Sequence, residues 1–106
     1  MIIAHNITDE VKLEGLELVG SVTTRFFDLE ETFGEPAEES AHDATWILEF
    51  TDTNTKETVS AVVRNWNHGD GLVYKGSCRM WNVYSKDKKA EGVINVFLGN
   101  GFAVGL

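Results

Sequence analysis

"TWILEFTDTNTKETVSAVVRNWN", residues 45–67, is the stretch whose reading decides the fold. Trp46, Leu48 and Phe50 alternate with Thr45, Ile47 and Glu49, and a period of two is the signature of a strand with one buried face. A turn region rich in Asp, Asn and Thr follows, after which Val59, Ala61 and Val63 alternate with Ser60, Val62, Arg64 and Trp66. Two such runs about a short polar turn predict an antiparallel hairpin.

Toward the C-terminus, "HGDG" (68–71) is a strong turn signal, and "LVYKG" and "CRMWNVY" (78–84) read as further strands. "SKDKKAEG" reads as a basic exposed turn, and "VINVFLGNGFAV" as two short apolar strands about Asn100-Gly101. Toward the N-terminus, "AEESAHD" (37–43) is an acidic connector. Before it, "SVTTRFFDLEETFGEP" places Val22, Phe26, Leu29 and Phe33 on one helical stripe, with Ser21 or Thr23/Thr24 available as N-cap. Gly34 supplies a residue able to take positive φ, and Pro36 keeps the helix from resuming. "MIIAHNI" (1–7) suits a short strand, whereas "TDEVKLEGLELVG" (8–20) fits neither period. The pattern predicts an α+β domain spanning 1–106, with one short helix packed on a meandering antiparallel sheet of five to seven strands.

The 106 residues are 42% apolar and 25% charged with a single Pro, the composition of a chain that folds around one core. No apolar run reaches the roughly 20 residues of a membrane-spanning helix, and the N-terminus lacks the basic start and apolar core of a signal peptide, so a cytoplasmic protein with no membrane partner is expected. A lone Cys78 cannot form an internal disulfide or a thiolate metal site, and is expected to pack inside a strand. The net charge of −8 is unevenly placed: residues 1–57 hold fourteen acidic and three basic side chains, net −11, and residues 58–106 three acidic and six basic, net +3. Such polarity can orient a charged partner.

The motif Arg-x-Trp-Asn occurs twice, at Arg64-Asn65-Trp66-Asn67 and Arg79-Met80-Trp81-Asn82. In a strand, residues two apart share a face, so Arg64 with Trp66 and Arg79 with Trp81 can together form one patch. The indoles suit stacking on a base, the guanidinium groups suit a phosphate, and Asn67 and Asn82 suit a base edge or ribose. Tyr74, Lys75, Tyr84 and the Lys86, Lys88, Lys89 loop widen that surface. The competing reading is a pair of cation–π contacts that close the sheet with no ligand. An extended nucleic acid is disfavoured by the net charge of −8.

A second candidate surface is acidic: Glu30, Glu31, Glu35, Glu38, Glu39 and Asp43 can imitate a row of phosphates, or simply solvate a helix and a loop. His5, His42 and His68 are scattered, and His68 near Asp70 lies in a turn where such side chains usually cap backbone groups. With no phosphate loop, HExxH or nucleophile elbow, no catalytic or metal residue and no cofactor is assigned, and a non-enzymatic protein is expected.

The run Leu29-x-x-x-Phe33-Gly34-x-Pro36, an acidic gap, then Trp46-x-Leu48-x-Phe50 and a turn into a second strand resembles a broad group of small proteins of tailed phages, mostly without assigned function. The likeness covers about residues 18–66; the second strand departs from it in "VVRNWN". The resemblance implies a phage-encoded counter-defence factor acting in the host cytosol by binding. The expected function is sequestration of a nucleotide-like signalling ligand by Arg64, Trp66, Asn67, Arg79, Trp81 and Asn82. The alternatives are an acidic, DNA-mimic-like inhibitor of a host defence protein, or an assembly subunit that forms a homo-oligomer through its C-terminal strands.

Overall fold

A computed structural model of the chain describes residues 2–6, 15–39, 44–65, 76 and 78–99. The described elements are β1 (Ile2–Asn6), β2 (Glu17–Thr24), α1 (Phe26–Phe33), β3 (Glu38–Glu39), β4 (Ala44–Asp52), β5 (Thr58–Asn65), β6 (Arg79–Ser85) and α2 (Ala90–Phe97). They form an α+β fold: two helices on a six-stranded antiparallel sheet of order β1-β4-β5-β6-β2, with β3 paired to the start of β4. The meander of the sequence reading is the central β4-β5-β6 run, and the two N-terminal strands lie at opposite edges.

The hairpin forms because its alternation has something to bury. Trp46, Leu48 and Phe50 stand opposite Val63, Ala61 and Val59 on one face of β4 and β5, and all six are in the core. The turn is built by Asp52, whose Oδ1 accepts the Asn54 N–H at 2.9 Å while its carbonyl accepts the Lys56 N–H at 2.8 Å. Lys56 takes φ 65° to close it.

Both helices cover that same inner face. Phe26 of α1 meets Trp46 edge-on at 5.1 Å between ring centroids, and Trp46 meets Trp81 of β6 at 5.5 Å. Phe33 at the other end of α1 meets Phe50 at 6.1 Å, and Phe97 of α2 lies 5.3 Å from Phe50. Two aromatic clusters therefore pin the helices to the sheet. Each such contact adds about 0.5–1.5 kcal/mol to the burial of the rings.

Polar groups fix where α1 starts and stops. The Trp81 indole N–H donates to the Thr24 carbonyl at 3.0 Å, and the Trp46 indole N–H donates to the Gly34 carbonyl at 2.8 Å. Asn6 Nδ2 donates to the carbonyls of Phe33 and Glu35 at 2.8 and 2.6 Å. The last turn of a helix leaves carbonyls without partners, and here side chains from β1 and β4 satisfy three around the C-terminus. Gly34 ends the helix at φ 88°, the role its sequence position predicted.

Four local predictions give way. Val22 and the proposed capping residues Ser21, Thr23 and Thr24 belong to β2, and α1 begins after Arg25 with no side-chain cap. A register shift between Leu18 and Gly20 breaks the alternation of β2 and conceals it in the sequence. Residues 90–97 are helical, not strand, because Ala90, Val93, Ile94 and Phe97 recur at helical spacing and the first three are buried. Asp87 prepares that helix by accepting the Lys89 N–H at 2.9 Å. The proposed oligomer contact through C-terminal strands loses its strand over 90–97, and residues 100–106 lie outside the described residues. Cys78 is exposed and precedes β6 instead of packing within it.

Replacing Trp46 with Phe keeps most of the buried ring but leaves the Gly34 carbonyl without its indole donor. The expected loss of stability is about 1–3 kcal/mol, read by urea unfolding. A smaller loss would mean that the hydrogen bond does not hold the end of α1.

Candidate functional site

The outer face of the sheet is the one opposite α1 and α2. Across β4, β5, β6 and β2 the pairing Thr45–Arg64–Asn82–Ser21 makes one continuous row on it. All four side chains can donate hydrogen bonds, with the guanidinium near the centre. The next row is Ile47–Val62–Tyr84–Leu18, which sets the Tyr84 ring diagonal to Arg64. Ile47 and Val62 are buried, while Arg64, Asn82 and Tyr84 are partly exposed.

The duplicated Arg-x-Trp-Asn motif therefore does not make one surface. Arg64 and Asn82 oppose each other on the outer face, whereas Arg79 pairs with Thr24 and points with Trp81 to the inner side. Trp81 has 0% of its surface exposed, so its ring offers no area on which a base could stack. Its N–H is occupied by the Thr24 carbonyl. Trp66 and Asn67 fall outside the described residues, as do Tyr74 and Lys75. Lys86, Lys88 and Lys89 are exposed in the turn before α2.

Five of the six acidic candidates are described, and all five are exposed: Glu30 and Glu31 on α1, Glu35 just beyond it, and Glu38 and Glu39 on β3. Asp43 lies outside the described residues. They follow α1 and its exit onto the β4 edge, a segment held by the indole and amide bonds at the end of the helix. His5 is exposed on β1 opposite Glu49; His42 and His68 are not described. Among the described residues no group of three His, Cys, Asp or Glu side chains is placed to hold a metal.

A cleft of about 410 Å³ is lined by Thr23, Thr24, Asp28, Glu31, Thr32 and Cys78, closed on one side by Leu98. Its walls come from β2, α1, the approach to β6 and the end of α2, which no local spacing connects. At its rim the Arg25 guanidinium grips Asp28 through two bonds of 2.9 and 2.8 Å. In comparison with known proteins, no family model, no curated protein and no solved structure matches the chain.

The hydrogen bonds from Arg25 hold the Asp28 carboxyl below its usual value of 3.8, against the raising effect of its partial burial. A depressed carboxyl contributes stability that is complete above the unfolded value and is lost as pH falls through the folded one. The stability difference between the wild type and Asp28→Asn is expected to be largest near neutral pH and to vanish in strong acid, measured by urea unfolding across pH. Because both groups are substantially exposed, the difference should be small and should weaken with salt.

Proposed function

We propose that the protein is a non-enzymatic binding protein whose outer sheet face takes a small, nucleotide-like anion. The observation that supports this reading is the row Arg64–Asn82–Ser21, three partly exposed donors in register across β5, β6 and β2 on the face opposite α1 and α2. Arg64 contacts a phosphate through its planar fork of N–H groups, Asn82 binds a neighbouring polar edge, and Tyr84 supplies the aromatic surface beside them. Trp81 and Arg79 take no part. The sheet fixes the backbone positions of these residues before the ligand arrives, which lowers the ordering cost of binding. The resemblance to small tailed-phage proteins suggests the setting, sequestration of a signalling nucleotide in an infected cell.

A second reading has its own observation, the exposure of Glu30, Glu31, Glu35, Glu38 and Glu39 along one ordered path. That ridge suits a basic groove on a partner protein, and its field would accelerate association.

The two readings separate by mutation. Arg64→Ala is expected to abolish binding of nucleotides from a panel of mono-, di- and cyclic compounds in calorimetric titration, and Arg79→Ala to leave it intact. Equal binding by wild type and Arg64→Ala, or no binding by wild type, would overturn the ligand reading. Capture of a partner protein that is lost on replacing Glu35, Glu38 and Glu39 with Gln would favour the second.

A further inference from the structure

We propose that two copies of this chain associate through the outer edges of β2, joining their sheets across a two-fold axis. Among the described residues, β2 pairs with β6 on one side and with no strand on the other. An edge strand presents a row of backbone donors and acceptors to any chain that can align with it, and natural edges are commonly blocked by Lys or Pro. β2 spans eight residues, "ELVGSVTT", and after Glu17 contains neither a charge nor a proline.

The pleat restricts the register. Gly20, Val22 and Thr24 pair with the inner-face residues Val83, Trp81 and Arg79, whereas Ser21 and Thr23 pair with the outer-face residues Asn82 and Met80. Antiparallel partners must point to the same face, so a two-fold centred on Val22 satisfies the rule: Val22 meets its own copy, Ser21 meets Thr23, and Gly20 meets Thr24. A two-fold centred on Ser21 instead sets outer-facing Leu18 against inner-facing Thr24 and fails.

No residue of the seam from 20 to 24 is itself charged, and the Glu91 carboxylate of α2 lies against Gly20 at its inner side. Past its ends, the Glu17 end of each strand approaches the Arg25 end of the partner strand, where the guanidinium is shared with Asp28. The apolar surface also gathers here. Met80 and Leu18 are the two most exposed large apolar side chains among the described residues, at 63% and 61%. Met80 flanks Thr23 on the outer face, and Leu18 precedes the seam on that face. Two copies of each would border the joined strands.

The test is the mass of the full chain by light scattering after gel filtration, in reductant so that the exposed Cys78 cannot cross-link two copies. Wild type is expected at twice the chain mass, and Thr23→Lys, which places a cation at each Ser21–Thr23 pairing, at the chain mass with an unchanged circular dichroism spectrum. Ile3→Lys, on the exposed side of the opposite edge strand, is expected to remain dimeric. If Thr23→Lys does not fold, Ser21→Lys replaces it. A monomeric or larger wild-type species, a dimer that survives the charge in β2, or one dissociated by Ile3→Lys would overturn the proposal.

Discussion

The structure depends on two buried indoles. Trp46 and Trp81 sit edge-to-face at 5.5 Å in the centre of the inner sheet face, each with no exposed surface. Their N–H groups reach out of the core in different directions, one to the Thr24 carbonyl before α1 and the other to the Gly34 carbonyl after it. A buried indole without an acceptor would carry a cost of about 1–3 kcal/mol, so each ring is tied to the backbone it must satisfy. One aromatic pair thus packs the core and sets both ends of the helix.

Other features follow from that position. With α1 tethered at Thr24 and Gly34, Phe26 is delivered to Trp46 and Phe33 to Phe50, and Phe97 of α2 completes the second cluster. The chain leaving α1 is directed to the edge of β4, where Glu38 and Glu39 pair with Thr45 and Ala44. The acidic ridge is therefore ordered by the core beneath it. The two described helices cover one face, and on the other Arg64, Asn82 and Ser21 align in one row beside the buried Thr45.

The sequence made some of this legible and concealed the rest for definite reasons. The β4–β5 hairpin was readable because one face of each strand is uniformly apolar, and Gly34 because a residue at φ 88° ending a helix favours glycine. β2 was hidden by the irregularity after Leu18, which puts two residues where the alternation allows one. Helix α2 was mistaken for strand because Val93, Ile94 and Val96 are β-branched, although Ala90, Val93, Ile94 and Phe97 hold the helical spacing. The duplicated motif misled for a subtler reason. Spacing of two says which side chains share a face, but only the register between β5 and β6, with Arg64 opposite Asn82, says which face each arginine takes. Trp81 then falls in the core, and no local signal separates a tryptophan that binds from one that packs.

The most direct test of this account is hydrogen exchange at the tryptophan indoles, followed by NMR with the side-chain N–H resonances assigned. The structure predicts that the Trp46 and Trp81 indole protons are strongly protected and exchange only when the protein opens. Exchange of the Trp81 proton at the rate of a solvent-exposed indole would contradict the account, because the ring would then be available to a ligand and α1 would lack the anchor at its start.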